Sequence, residues 1–265
     1  MRCTRCGYVF ADSALTDQDF YRLYNDGYFC GGAYTDYVKD ERVLRKNFRA
    51  RARVIQALGE PQRHRRLLEI GSAYGFFLKE VENQYASVEG IDITEAGTRF
   101  AREELQLSVV QGDFLDHDYG SVKFDVICLW DTIEHLRAPD LYIAKMSALT
   151  EPGALLALTT GDIESANARL RGRRWRLIHP PSHLHYFSPQ TLRILLDRYG
   201  FEIVYNKYCG FYRSVDNMAH NILVARHKRQ RIYETLRRSG LSNFDLYLNL
   251  YDIMFVIARK RLSNS

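Results

Sequence analysis

Short apolar runs alternate with stretches of helical periodicity along most of the chain. Runs at 67–70, 88–93, 109–110, 124–130 and 154–159 are too short for helices and too continuous for half-exposed strands, so they read as strands buried on both faces. Strands of that kind separated by helical segments predict an α/β fold, a mostly parallel sheet with helices on both sides. Upstream, Val43, Leu44, Phe48, Val54, Ile55 and Leu58 recur at helical spacing among arginines, an amphipathic helix that Gly59 and Pro61 stop. Downstream, Ser188 and Pro189 suit the N-cap and first position of a helix that Gly200 ends. Two further strands are expected at 201–205 and 254–259, with a helical insertion at about 214–250 between them.

The pattern divides the chain into a small N-terminal subdomain at 1–44, a core at 45–210, a helical insertion or lid at 211–250, and a last core strand with its tail at 251–265. The 265 residues, 46% of them hydrophobic, suffice for one good core with smaller attachments. No run reaches the ~18 apolar residues of a membrane span, and the first residues lack a signal-peptide core, so a cytoplasmic setting is expected. The five cysteines, Cys3, Cys6, Cys30, Cys128 and Cys209, do not form a secreted disulfide framework and should be reduced.

A formal net charge of +5 favours anionic partners without choosing among them. No aromatic-interleaved basic motif points to nucleic acid. The insertion sets His227, Lys228, Arg229, Arg231, Arg237 and Arg238 beside Ile222, Leu223, Val224, Ile232, Tyr233 and Leu236. This reads as the solvated face of a packed lid helix, with peripheral contact to a membrane surface or a lipid acceptor as the alternative.

Candidate chemistry begins at Leu67-Leu68-Glu69-Ile70-Gly71-Ser72-Ala73-Tyr74-Gly75-Phe76-Phe77, a strand, a turn of small residues and a helix. Such a turn lets backbone approach a ligand closely. It lacks the G-x-G-x-x-G that seats a dinucleotide pyrophosphate on a helix N-terminus. Ala73 stands between the two glycines and must hold a conformation open to a residue with a Cβ. About 20 residues on, Asp92 ends the second strand, where a carboxylate accepts from ribose hydroxyls or caps a helix. Asp113 and Phe114 follow the third strand, as ligand groups or as a turn.

Together these motifs resemble the class I S-adenosylmethionine-dependent methyltransferases over about Ala50 to Lys260. The resemblance implies a Rossmann-like seven-stranded sheet whose last strand is antiparallel, with S-adenosylmethionine as cofactor and S-adenosylhomocysteine as product. Its cofactor set would be Glu69, Gly71, Ser72, Ala73, Gly75 and Phe77 in the loop, Asp92 and Ile93 at the ribose, and Asp113 and Phe114 at the adenine. Leu129, Trp130 and Asp131 would flank the methionine, as in ubiquinone-type methyltransferases. Asp131, Glu134 and His135 repeat the acid-x-x-acid-His spacing of those enzymes, which admits a divalent metal. The simpler reading makes Glu134 and His135 the cap and start of a helix, and no metal is expected.

Three histidines, His179, His183 and His185, occupy a Pro-bounded loop on the expected acceptor side; His-Leu-x-x-Phe-Ser is similar to bacterial sugar and natural-product methyltransferases. His183 and His185, and then His135, are the candidate general bases, while His179 pins the loop. Arg169, Arg171, Arg173, Arg174 and Arg176 precede them, either gripping an anionic acceptor group or lying solvated. Cys3-Thr4-Arg5-Cys6 resembles one knuckle of a zinc ribbon. Structural zinc takes four ligands, so the knuckle is expected to be empty unless Cys30, a histidine or a second subunit completes it. The expected activity is methyl transfer to a small-molecule, sugar or lipid-linked acceptor, chiefly a hydroxyl. An NAD-dependent or nucleotide-sugar oxidoreductase and a non-catalytic binding module are the competing readings.

Overall fold

The computed structural model describes residues 1–12, 16 and 38–262. Its centre is a seven-stranded sheet in the order β4-β3-β2-β5-β6-β11-β8. The strands are β2 (Arg66–Ile70), β3 (Ser87–Asp92), β4 (Ser108–Gln111), β5 (Phe124–Trp130), β6 (Thr150–Gly161), β8 (Phe201–Tyr208) and β11 (Ile253–Lys260). Neighbours from β4 through β6 pair in parallel, and β11 runs antiparallel to both β6 and β8.

The apolar runs are continuous because each central strand is covered twice. Along β5, Ile127 and Leu129 enter one core with Leu68, Phe124, Ile143, Leu192 and Phe201. Val126, Cys128 and Trp130 enter the other with Phe48, Ile55, Leu67, Phe77 and Phe255. Alternate side chains of a strand point to opposite faces, so a strand buried on both sides must be apolar at every position.

Helix α1 (Glu41–Leu58) covers the second core with Val43, Asn47, Phe48, Arg51, Ala52 and Ile55, and begins three residues before the boundary expected at 44. Gly59 ends it as expected, its N–H donating to Ile55 O at 2.8 Å. Helices α2 (Phe76–Val81), α3 (Glu95–Glu103) and α4 (Pro139–Ala148) complete the crossovers, and α5 (Ala166–Arg171) follows β6. Helix α6 (Pro189–Arg198) starts at Ser188 with a capping box to Thr191.

Two smaller pairs flank the sheet. β1 (Val9–Phe10) pairs antiparallel with β7 (His185–Tyr186), tying the amino-terminal turn to the histidine loop. Segment 211–250, expected to be helical, instead begins and ends in strand. β9 (Phe211–Ser214) pairs antiparallel with β10 (Asp245–Leu248), and between them lie α7 (Val215–His220), a π-helical run (Asn221–Arg226) and α8 (Gln230–Arg238). The helical pattern around Ile222 and Ile232 hid the short alternating strand Asp245-Leu246-Tyr247-Leu248. Among the described residues no helix is long and apolar enough to cross a membrane.

Candidate active site

Strand order reverses between β2 and β5, and the carboxyl ends of those two strands open a crevice there. A cavity of about 870 Å³ occupies it. One end is lined by Gly71, Ala73, Asp92, Ile93, Asp113, Phe114, Trp130 and Asp131, and the other by His135, Arg176, His179, His183 and residues of β9.

The turn after β2 is shaped by its neighbours. Gly71 has φ +76°, and a Cβ there would lie 2.6 Å from Thr132 Oγ1. Gly75 has φ +75°, and a Cβ there would press on Leu107 and Ala101. Both positions therefore require glycine. Ala73 also takes the left-handed region, φ 46°, and its N–H donates to Asp92 Oδ2 at 2.7 Å. Asp92 Oδ1 accepts from the Thr94 N–H at 2.8 Å and the Thr94 hydroxyl at 2.5 Å. Burial raises the Asp92 carboxyl and these donors oppose the rise. A buried carboxylate held by three donors at the lip of a cavity is oriented before any ligand arrives.

Asp113 Oδ1 accepts from the Leu115 N–H at 2.8 Å and from the Tyr142 hydroxyl at 2.6 Å. Asp131, at φ 50°, directs Oδ2 toward Arg51 Nη2 at 3.3 Å, while its backbone N–H donates to Thr159. Arg51 is buried and its guanidinium lies 5.0 Å from the ring centres of both Trp130 and Phe211. This cation was not singled out in the sequence. Its signal was position: Asn47, Arg51 and Ile55 repeat every four residues on the buried stripe of α1, where an arginine needs a partner.

Five expected cofactor residues do not line the cavity. Glu69 is buried beneath the loop, and burial with the nearby Asp92 charge pushes its carboxyl well above the usual range. Ser72 is buried with its Oγ 2.8 Å from the Cβ position of Gly90. Gly75 forms the turn into α2. Phe77 packs on Phe48 and Trp130, and Leu129 points to the opposite core from Trp130. Strand alternation accounts for Leu129, because neighbours on one strand cannot share a face.

At the other end of the cavity, His135 is half-buried with Nδ1 donating to Ser182 O at 2.9 Å, and desolvation drives its pKa down to about 3. His183 lies 4.5 Å from it, ring centre to ring centre, and is also lowered, chiefly by burial. Both rings are neutral near pH 7. His179 accepts from or donates to the Ser182 hydroxyl at 2.9 Å within its own loop. His185 does not reach the main cavity; its Nδ1 meets the Tyr8 hydroxyl at 2.6 Å because β7 is drawn to β1.

Glu134 and His135 sit in a single turn of 3₁₀ helix, Ile133–His135, rather than at the start of α4. Glu134 accepts from the Thr160 hydroxyl at 2.9 Å, and burial followed by the Asp131 charge raises its carboxyl to about 8. Glu134, His135 and His183 each offer a ligand atom, all within 4.8 Å of one another, a set able to hold a metal ion. Asp131 is not in that set, being turned to Arg51.

Of the arginine loop, Arg176 alone lines the cavity, and its Nη2 donates to Asp252 Oδ1 at 2.9 Å. Asp252 is buried and also accepts from Trp175 Nε1 at 2.9 Å and Asn167 Nδ2 at 2.7 Å, fastening the loop to the end of β11. Cys3 and Cys6 bracket an amino-terminal turn in which the Gly7 N–H donates to Cys3 O at 3.0 Å. Among the described residues no third ligand joins them, and Cys30 lies outside those residues.

Residues 42–206 match the profile of a family described as "Methyltransferase domain". The chain belongs to the class I S-adenosylmethionine-dependent methyltransferases. Similar relatives are ubiquinone biosynthesis O-methyltransferases. That of Chelativorans sp. is 31% identical over 101 residues, which is 36% of this chain and 40% of the relative. Those of Arabidopsis thaliana and Bordetella avium are each 23% identical, over 62% and 66% of this chain and 57% and 80% of theirs. The methyltransferase thus spans about half the length of the first two relatives. Among solved structures, the magnesium protoporphyrin IX methyltransferase of Synechocystis PCC 6803 with bound SAH has a TM-score of 0.57 at 13% identity, over 89% of this chain and 97% of that one. A SAM dependent methyltransferase from Archaeoglobus fulgidus scores 0.53 at 18% identity, covering 84% and 99%. At these identities the structural likeness speaks for the fold alone.

Proposed function

We propose that this methyltransferase acts on a hydroxyl of a small-molecule, sugar or glycolipid acceptor, with His183 as the base. The carrying observation is one continuous cavity that joins Gly71, Asp92 and Asp113 at one end to His183 at the other. When bound, S-adenosylmethionine supplies a methyl group on an already electrophilic sulfonium. The residues present fit it: Gly71 and Ala73 bring backbone to the cavity wall, and Asp92 and Asp113 offer fixed carboxylates at the expected spacing. Asp92 takes the ribose hydroxyls, Asp113 and Phe114 take the adenine, and the Arg51–Asp131 pair faces the carboxylate and ammonium of the methionine end.

His183 is neutral near pH 7, so it can accept the hydroxyl proton as the oxygen attacks. Alignment of acceptor and methyl carbon supplies most of the remaining acceleration. The O-methyltransferase relatives support oxygen as the acceptor atom. The core at 45–210 and 251–265 then performs transfer, with 211–250 as a lid. We place the reaction in the cytoplasm, a setting that suits free Cys3, Cys6, Cys128 and Cys209.

A second reading is favoured by the mutual approach of Glu134, His135 and His183. Two imidazoles and a carboxylate suit a divalent transition metal, which lowers the pKa of an acceptor hydroxyl. His135 is oriented for this by Ser182 O, which leaves Nε2 as its ligand atom. Loss of turnover on chelation, restored by the metal, selects this reading; full activity in chelator selects His183 as the base.

Isothermal titration with S-adenosylmethionine, S-adenosylhomocysteine and NAD tests the foundation. Binding of the first two, lost in Asp92→Ala, is expected. Binding of NAD alone, or of none of the three, overturns it in favour of an oxidoreductase or a binding module.

A further inference from the structure

The residues at 211–250 carry seven of the chain's Lys and Arg side chains against three Asp and Glu, which accounts for nearly all of the formal net charge of +5. Lys228, Arg229, Arg231, Arg237 and Arg238 are exposed, and no ion pair among the described residues involves them. Helix α8 touches the rest of the molecule chiefly through Tyr233, whose hydroxyl donates to Asp216 at 3.0 Å. Among the described residues the outward basic face is therefore uncompensated.

Apolar side chains are exposed on the same segment. Nine of the eighteen large hydrophobic residues that stand exposed among the described residues fall between 211 and 251. Leu241 is 69% exposed, Phe244 54%, Leu250 49% and Tyr251 65%. Scattered surface leucines are ordinary; a concentration of them beside unpaired cations is not.

The β9–β10 ribbon shows how this surface meets the cavity. Tyr212 and Tyr247 meet with tilted rings 5.1 Å apart on one face, where Lys46 lies 3.8 Å above the Tyr212 ring and Arg42 pairs with Asp245. Register pairs Leu246 with Arg213 and Leu248 with Phe211, so these four share the opposite face. All four residues of β9 line the cavity, and Leu246 and Leu248 of the paired strand are exposed beside Arg213 and Phe211. The rim at this end of the cavity thus carries exposed leucines edged by arginine, and the turn 239–244 joins it to the basic helix.

We propose that this face seats the enzyme on an anionic bilayer, α8 lying in the headgroup layer, with the acceptor end of the cavity opening at the membrane surface. Apolar side chains enter the interface, and unpaired Lys and Arg add electrostatic attraction to anionic headgroups. A solvated lid face would need the cations but not the exposed leucines, and a protein-binding patch of this size would not need so large an excess of one charge. The proposal does not depend on which acceptor is methylated.

Co-sedimentation with vesicles tests it, using phosphatidylcholine alone and phosphatidylcholine mixed with phosphatidylglycerol, at low and high salt. The full chain should pellet with the anionic vesicles only, and high salt should release most of it. Arg237→Glu/Arg238→Glu and Leu246→Ser/Leu248→Ser should each lower the partition by about tenfold or more. Binding of S-adenosylhomocysteine and the melting temperature, unchanged in both variants, exclude misfolding. Absence from anionic vesicles overturns the proposal, as does binding that neither pair of substitutions weakens. A concentration-dependent dimer in sedimentation velocity, abolished by the leucine substitutions, would assign the face to a second copy of the chain instead.

Discussion

The two ends of the cavity are built on different principles. At the end proposed to hold the cofactor, the groups on the cavity wall are set by backbone: a left-handed Gly71, a left-handed Ala73 whose N–H anchors Asp92, and Asp131 on a strand terminus. At the end proposed for the acceptor they are side chains on segments distant in sequence, His135, Arg176, His183 and the β9 ribbon, held by hydrogen bonds between loops. A common cofactor demands the first kind of construction. The second kind can change its ligand without disturbing the sheet.

The largest expected effect lies at the acceptor end. His183→Ala should lower kcat by about 10²–10⁴-fold while leaving S-adenosylhomocysteine affinity intact, and His185→Phe should leave kcat near the wild-type value. Turnover by both variants, with titration calorimetry alongside, is the check. Equal losses at 183 and 185 would erase the distinction drawn between the two rings.

At the cofactor end, Gly71→Val combines a positive φ with a collision against Thr132, and should cost about 3 kcal/mol of stability or abolish cofactor binding. Chemical denaturation measures it. A stable variant that binds normally would show that the loop is less rigid than its geometry implies.

The pH dependence is smaller and has two signs. His135 has its pKa lowered to about 3, so its neutral form contributes stability that is lost as pH falls below the unfolded value of about 6.5. Glu134, raised to about 8, contributes below its unfolded value of about 4.5, and that contribution is lost as pH rises through about 8. His135→Asn should therefore flatten the drop in Tm between about pH 6.5 and pH 4, as read by scanning calorimetry. An unchanged slope would place the responsible proton elsewhere.

The smallest effect is expected at Ala73→Gly. Relief of the left-handed backbone is worth about 1–2 kcal/mol and is partly offset by the greater entropy of unfolded glycine. Tm should hold or rise slightly, whereas Ala73→Val should lower it; a fall with glycine would mean the methyl group packs productively.

Legibility in the sequence followed the same division. The strand-turn-helix and the places of Asp92 and Asp113 on the cavity wall were readable because chain geometry fixes their spacing. Phe77 and Leu129 do not line the cavity, since a motif names neighbours without saying which face each presents. Arg51 escaped notice among the many arginines of α1, although its place on the buried stripe marked it. The β9–β10 ribbon was hidden because its partner strands are separated by two helices and by nothing that periodicity can register.

The position of β11 bears on how the molecule is made. It fills the slot between β6 and β8, and both of those precede it in the chain. During synthesis, two strands must therefore wait with facing edges bare until the third arrives. A nascent chain paused after β8 would present unsatisfied backbone groups beside an apolar surface, inviting strand exchange with a neighbouring chain. Pulse-labelled ribosome complexes stalled before and after residue 253 would locate that vulnerable interval.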